Sequence, residues 1–308
     1  MKIGIVGWGV EGQSAFRYFG PQHEYLIANE EPRDDFPQSS DKIKVQFITA
    51  RREPGLTGSV KDLSYLDGIE ACDKIVCTPT AYKNLESKFP KGDKFWKKVT
   101  SDRAIFFENV KTKNIIGVTG SKGKGTTSAL ISKMLQAAGH KVFLGGNIGQ
   151  SPLDFIGEVQ ASDWVVLELA NFQLYSLHYS PHIAVGLMIT PEHLDWHPNF
   201  EEYLAAKANL FRYQKPDDIA IYFADNDYSK QIAGESPGRK IPYFESPGAR
   251  VRADGMIVIG ENEQEIINKT GVKLLGEHNL ENICAACTAV FEAVGSLDKA
   301  KEVLSSFS

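Results

Sequence analysis

NIIGVTGSKGKGTTSAL, residues 114–130, is the stretch from which the rest of the chain is read. Ile115 to Val118 form an apolar run, the pattern of a buried strand. A glycine-rich turn follows, then Lys124, Gly125, Thr126 and Thr127 at the start of a helical pattern. Gly120, Gly123 and Gly125 allow backbone N–H groups to face an anion with no Cβ in the way. A helix beginning near Thr126 adds its positive dipole end, worth about 0.3–1 kcal/mol per favourable charge. Ser121 and Lys122 complete the loop; Lys124 reaches outer phosphates, and a Thr hydroxyl can ligate Mg²⁺. The usual phosphate loop has Ser or Thr directly after its lysine, whereas here Gly125 intervenes, leaving Thr126 as the first hydroxyl. Leu130, Ile131, Met134, Leu135 and Ala138 then make one apolar helix face, stopped at Gly139.

The length of 308 residues predicts two domains rather than one core. A net charge of -5, with no long basic run, argues against nucleic acid or an acidic membrane surface as the main partner. No apolar run approaches the roughly 20 residues needed to span a bilayer, and the amino terminus lacks a signal-peptide pattern. Cys284 and Cys287 form a C-x-x-C inside a helical, Ala-rich segment, where the spacing places two small apolar residues on one face. Cys72 and Cys77 lie too far away in sequence to complete a zinc site. Four free thiols suit a reducing, cytoplasmic setting.

Before the phosphate loop, Lys2 to Val6 reads as a buried strand leading into Gly7, Gly9 and Gly12, a G-x-G-x-x-G, with a helix from Ser14 to Phe19. A second strand, Tyr25 to Ala28, ends at Asn29, Glu30 and Glu31; acidic groups about 20 residues beyond the glycines belong to the ribose-binding pattern of dinucleotide folds. Strands at Gln46 to Thr49 and Lys74 to Cys77 complete a Rossmann-like, doubly wound domain over residues 1–110, with Ala104 to Lys113 as the expected linker. Residues 111–308 read as a second α/β domain of P-loop ATPase type. Its strands are expected at Val142 to Leu144, Trp164 to Leu169, Ile183 to Ile189 and Ile219 to Ala224, in a mainly parallel sheet. Alternation around Asp254-Gly255 signals a hairpin, and a helix is expected from Asn279 to Val294.

Three residues stand out chemically. Glu168 ends the strand WVVLEL, at the edge where open α/β sheets collect ligands, and can hold a metal ion. His193 follows the strand IAVGLMIT at the same edge, with Asp195 and His197 nearby. Lys207 shares a helix stripe with Leu204, Ala208 and Phe211. It either snorkels outward or, if buried, has a depressed pKa and a reactive neutral amine open to carbamate formation with carbon dioxide.

Together these residues resemble the Mur ligase family of ATP-dependent amide-forming enzymes. The resemblance runs through TGSKGKGTT, GGNIG at Gly145 to Gly149, ELANFQL, EHLDWH, the AAK ending at Lys207, YFADND and LLGEHNLENICAA. The amino-terminal GWGVEGQS is most similar to the family's D-glutamate-adding branch. The resemblance implies UDP-N-acetylmuramoyl-L-alanine, ATP and D-glutamate as substrates, an acyl phosphate intermediate, Mg²⁺, and a monomer serving cell-wall precursor synthesis. It implies catalytic roles for Lys124, His193 and Lys207, and metal ligation by Thr126, Glu168, His193 and carbamylated Lys207. It assigns ATP to residues 120–127 with Asn279, Asn282 and Asp225. The UDP substrate falls to Gly9, Val10, Glu11, Gly12, Ser14, Asn29, Glu30 and Thr80, with Asn147 and His193 facing the muramoyl group.

Departures from the pattern are Gly125, Met188 where the family commonly has Asn, Thr80 in place of Gly, and Asn29-Glu30 in place of Asp. The family also carries a third domain with the amino-acid site. The chain stops at Ser308, so the expectation is a fragment or truncation that is inactive alone. Two other readings remain open: a folylpolyglutamate synthase-like ligase, which shares the G-K-G-T spacing, and a non-catalytic nucleotide-binding module. A nicotinamide oxidoreductase would explain the first glycine loop and nothing after Asn114.

Overall fold

The computed structural model describes residues 1–48, 62–147, 149–192, 195–274 and 276–307. Two compact units emerge. One comprises Met1–Asn109 with Ser151–Gly157, the other Val110–Gln150 with Glu158–Ser308.

The first unit contains β1 (Lys2–Val6), α1 (Val10–Phe19), β2 (Glu24–Ala28), β3 (Ile43–Gln46), β4 (Lys74–Cys77), α2 (Pro79–Lys88), β5 (Val99–Thr100) and α3 (Asp102–Asn109). Its strands form one parallel sheet in the order β3-β2-β1-β4-β5. Ile3, Ile5, Ile27 and Ile75 are fully buried, as central strands covered on both faces require. The expected strand at Gln46 to Thr49 sits earlier, at Ile43–Gln46, and Thr49 lies outside the described residues. The expected linker from Ala104 is corrected: residues 102–109 are helix α3, with Ala104, Ile105 and Phe106 buried. Pro152–Phe155, a short helix from later in the chain, belongs to this unit, where Asp154 accepts from Ser14 and pairs with Arg17.

Order reverses around β1, and the glycine loop leaves its carboxyl end there, the usual crevice of such sheets. Sterics account for two of the three glycines. A Cβ on Gly7, whose φ is +91°, would lie 2.0 Å from the Thr78 hydroxyl oxygen, and one on Gly12 would lie 2.0 Å from the Gly7 carbonyl oxygen. Nothing lies within 4 Å of a Cβ built on Gly9.

The second unit contains β6 (Ile115–Thr119), α4 (Lys124–Ala137) and β7 (Val142–Gly146). After α5, the Pro152–Phe155 helix, come β8 (Trp164–Glu168), α6 (Asn171–Tyr175), β9 (Ile183–Gly186), α7 (Phe200–Arg212), β10 (Ile219–Phe223), α8 (Asp227–Gly234) and β11 (Arg239–Tyr243). A parallel sheet runs β11-β10-β9-β6-β8-β7. The hairpin around Asp254-Gly255 forms between β12 (Arg250–Val251) and β13 (Met256–Ile259), and β14 (Gln264–Asn268) extends it to three antiparallel strands. Helices α9 (Glu277–Val294) and α10 (Ala300–Ser306) close the unit. Leu130, Ile131, Met134 and Leu135 of α4 join Ile283, Ala286 and Val290 of α9 in one core with the central strands. Cys284 and Cys287 are buried there, and burial raises both thiol pKa values, that of Cys287 to about 12. Among the described residues no helix is long and apolar enough to cross a membrane.

In the first unit, Arg103 is fully buried and its Nη1 lies 2.6 Å from both Glu11 and Asp102. Ser151 donates to the other oxygen of Asp102 at 3.0 Å. Removing the guanidinium strands buried carboxylate charge, which typically costs 3–5 kcal/mol. Arg103→Ala is therefore expected to destabilise the unit that carries the first glycine loop by about that much. Urea unfolding followed by Trp8 fluorescence checks it, and a loss below about 1 kcal/mol would contradict it.

Candidate nucleotide and metal site

At the carboxyl edge of the central sheet the chain leaves β6 and turns into α4 through Gly120 to Gly123. The loop is pinned to the segment following β9. Ser121 donates its N–H to the Met188 carbonyl at 2.9 Å, while its hydroxyl donates to the Thr190 carbonyl and accepts the Thr190 N–H, both at 2.9 Å. The same hydroxyl is 2.8 Å from the phenol of Tyr203 on α7. Ser121, expected to bind nucleotide, thus has its side chain turned inward as a brace. Gly120 and Gly123 are fixed by close approach: a Cβ on the first would sit 2.6 Å from Leu187 Cβ, and on the second 2.1 Å from Asn282 Oδ1. Gly123 also has φ +83°, a conformation that favours glycine.

Lys124 begins α4 and folds back, its Nζ donating to the carbonyls of Gly120 at 2.9 Å and Ser121 at 2.8 Å. Lys207, on α7, is 1% exposed and donates to the same Gly120 carbonyl at 2.8 Å, with its Nζ 4.7 Å from the centre of the Tyr203 ring. The snorkelling alternative for Lys207 is thereby set aside. Two ammonium groups converging on one carbonyl oxygen repel each other, so both are not favoured in the charged form. Burial pushes the Lys207 pKa well below its usual 10.5, and the Lys124 charge lowers it further, against a smaller opposing pull from Glu192. Burial also lowers Lys124, opposed by Glu168 and Glu192.

Glu168 closes β8 and is buried. Asn147 donates from Nδ2 to Glu168 Oε1 at 2.8 Å and from its backbone N–H to the Glu168 carbonyl at 2.8 Å. Glu168 Oε2 is buried with no hydrogen-bond partner among the described residues. A buried carboxylate oxygen left unpaired beside a phosphate-type loop fits a divalent cation, which would supply the missing partner. His193, expected to join this set, lies outside the described residues. No cluster of three His, Cys, Asp or Glu side chains with metal-holding geometry occurs among the described residues.

Beside the loop is a cleft of about 310 Å³ lined by Lys122, Gly123, Thr126, Met188, Asn279 and Asn282, among others. Asn279 and Asn282 lie more than 150 positions beyond Thr126 in the sequence. Asn282 is anchored by Thr127, whose hydroxyl donates to its Oδ1 at 3.3 Å, and its own Nδ2 donates to Asn279 at 3.2 Å. Glu281 lines the same cleft; burial raises its pKa, opposed by His278, with smaller upward pushes from Asp225 and Glu277. Gly125 takes the second position of α4, so the helix starts two residues before the expected Thr126.

In the first unit, the polar groups expected to take a UDP substrate are largely engaged internally. Asn29 accepts from the Trp8 N–H at 2.7 Å and donates to the Glu31 carbonyl at 2.7 Å. Glu11 faces Arg103, and Ser14 donates to Asp154 at 2.8 Å. Gly9, Val10 and Thr80 are exposed, and Glu30 is partly buried. Sequence reading missed Tyr203 and Glu192 altogether. Their signal was weak, since an aromatic one turn before Lys207 and an acid one residue before a His are common patterns.

With this geometry established, comparisons with known proteins decide the family. The model of the Mur ligase middle domain matches residues 118–290, more than half of the chain. The chain belongs to the Mur ligase family. Relatives named UDP-N-acetylmuramoylalanine--D-glutamate ligase include one from Acetivibrio thermocellus, 40% identical over 237 residues that cover 75% of this chain and 50% of that protein. Another, from Clostridium kluyveri, is 30% identical and covers 100% of this chain and 65% of its own length. The chain thus spans about half to two-thirds of the length of the curated relatives it matches. Among solved structures, a UDP-N-acetylmuramate:L-alanyl-gamma-D-glutamyl-meso-diaminopimelate ligase from Neisseria meningitides aligns with a TM-score of 0.62 at 18% identity, over 100% of this chain and 98% of that one. A Thermotoga maritima MurF ligase in complex with ADP aligns at 0.50 and 17% identity, over 77% and 57%. The Mur ligase fold, with Rossmann-like and P-loop ATPase-type α/β units, is therefore the fold of this chain.

Lys207 gives a pH-dependent test. Its folded pKa is depressed, so as pH falls below about 10.5 the unfolded chain takes up a proton that the native chain does not. Stability contributed at high pH is therefore lost as pH falls from 10.5 towards the lower folded pKa. Lys207→Met is expected to be more stable than the parent at pH 7, with the gap narrowing towards pH 10.5. Paired urea unfolding curves across that range check it, and a pH-independent difference would show that Lys207 stays charged.

Proposed function

We propose that the chain carries the nucleotide-handling and carboxylate-activating part of an ATP-dependent ligase of cell-wall precursor synthesis. In this reading it acts on UDP-N-acetylmuramoyl-L-alanine and adds D-glutamate, the activity named for its relatives. The observation that carries the reading is the meeting of Lys124 and Lys207 on one carbonyl of a phosphate-type loop, beside the cleft bounded by Asn279 and Asn282.

Each residue has a role in this scheme. Backbone N–H groups around Lys122 to Thr126 and the amino end of α4 receive phosphates. Lys124 exchanges its carbonyl partners for phosphate oxygens and offsets charge that builds during transfer to the substrate carboxylate. Asn279 and Asn282 orient the base, and Asp225 lies towards the nucleotide. Thr126 and Glu168 would hold Mg²⁺, with His193 and a carbamate formed on the neutral Lys207 amine as further ligands. When bound, Mg²⁺ neutralises phosphate charge and lets two anions approach. Asn147, held to Glu168, faces the muramoyl carboxylate, so one residue links substrate position to the metal side chain. The first glycine loop, through Gly9, Val10, Gly12 and the neighbouring Glu11, Ser14, Asn29, Glu30 and Thr80, receives the UDP portion. The chain acts as a monomer in the cytoplasm.

Calorimetry tests the reading directly. The chain is expected to bind ATP with Mg²⁺, and separately UDP-N-acetylmuramoyl-L-alanine. Loss of one charge-assisted contact of about 1.5–3 kcal/mol predicts a 10- to 150-fold weaker ATP affinity in Lys124→Ala. Unchanged ATP affinity in that variant would overturn the phosphate-loop assignment.

A further inference from the structure

His197 is buried to 1% exposure and sits between two helices. Its Nε2 is 2.8 Å from Asn171 Nδ2, on the first residue of α6, and its Nδ1 is 2.9 Å from Glu202 Oε1, near the start of α7. An amide nitrogen only donates and a carboxylate only accepts. The ring therefore accepts at Nε2 and donates from Nδ1, a neutral imidazole in one tautomer. Edge-on packing from Trp196 at 4.5 Å and Tyr203 at 5.6 Å between ring centroids leaves it no room to turn.

The two helices that it joins carry the chemistry. Asn171, the first residue of α6, stands three residues beyond Glu168, the last of β8. Glu202 stands five residues before Lys207 on α7. Between them, Tyr203 reaches Ser121 at 2.8 Å, and Lys207 reaches Gly120 at 2.8 Å. A polar chain thus runs from Asn171, three residues after Glu168, through His197 to Glu202 on the helix that braces the phosphate loop. Carboxylates and histidines that support metal ligands from behind typically change metal affinity 10- to 100-fold when removed.

We propose that His197 is a positioning residue whose neutral ring, bridging Asn171 and Glu202, sets the separation of Glu168 and Lys207 at the metal side of the site. The proposal deepens the ligase reading and rests on it for the identity of what Glu168 and Lys207 hold.

The test has two arms on the full chain. With ¹⁵N-labelled histidine, the His197 ring signals are identified by their absence in His197→Ala. They are expected to show a protonated Nδ1 and an unprotonated Nε2 at neutral pH. An imidazolium, or the opposite tautomer, overturns the relay. In Asn171→Asp, which only accepts, Nε2 is expected to become protonated. The second arm measures Mn²⁺ binding in the presence of ATP by electron paramagnetic resonance, and ATP binding without metal by calorimetry. His197→Ala is expected to weaken Mn²⁺ about 10- to 100-fold while leaving metal-free ATP affinity unchanged. Glu202→Gln keeps an acceptor for Nδ1–H and is expected to retain the parent Mn²⁺ affinity. Equal Mn²⁺ affinity in the parent and His197→Ala, or matched losses of metal and metal-free ATP binding, overturns the proposal. If His197→Ala does not fold, the comparison of Glu202→Ala, which removes the acceptor of Nδ1–H and is expected weak, with Glu202→Gln, expected unchanged, carries the same decision. A parent chain that binds neither ATP nor Mn²⁺ overturns the ligase reading instead, and the ring signals then decide the relay alone.

Discussion

The carbonyl of Gly120 is the point on which the central site depends, because two lysine amines converge on it. Leu187 presses so closely on Gly120 that only glycine fits, and Ser121 ties the next peptide to Met188. The carbonyl is therefore fixed with respect to both β6 and the segment after β9. One amine, Lys124, begins a helix and has a second carbonyl to hold. The other, Lys207, is sealed under Tyr203 and loses most of its access to water. Putting both charges there is unfavourable, so the more buried lysine gives up its proton more readily.

That asymmetry has consequences for the neighbouring side chains. A charged Lys124 has only neutral carbonyls as hydrogen-bond partners here, so a phosphate oxygen can replace them with gain of a charge-assisted bond. Glu168 shows the opposite imbalance, with one oxygen satisfied by Asn147 and the other buried without a partner. A polar atom left in that condition costs about 1–3 kcal/mol, more if charged, which is a reason to expect a ligand to complete it. The edge of the sheet thus holds an amine bonded only to neutral carbonyls and a carboxyl oxygen with no partner among the described residues. The rigid framework behind it consists of α4 and α9, packed on the central strands.

The amino-terminal unit solves a different problem with a similar turn. Gly7 and Gly12 are glycines because Thr78 and the loop's own carbonyl occupy the space a side chain would need. Gly9 alone faces open space. A glycine fingerprint therefore mixes residues required by packing with residues left accessible, and only the coordinates separate them. The buried Glu11–Arg103–Asp102 group belongs to the packing half, since its charges are turned towards one another.

Sequence alone determined the two α/β sheets, the phosphate loop, and the placement of Glu168 at a strand end and Lys207 on an inward stripe. These are local: strand and helix periodicity, glycine spacing and strand-end position are written within a few residues. It also gave Asn279 and Asn282, though only through family resemblance, because nothing near them in the chain points to a cleft built against residues 122–126. Tertiary structure decided what each polar group is paired with. Ser121 braces the loop, Asn29 caps the Trp8 peptide, residues 102–109 are a packed helix, and 151–157 return to the first unit. The pairing of Asn147 with Glu168, and of His197 with Asn171 and Glu202, likewise exists only after folding. Hydrogen bonds of this kind join residues from different strands and helices. Their partners are set by which elements lie side by side, a property of the sheet order that no short stretch of sequence contains.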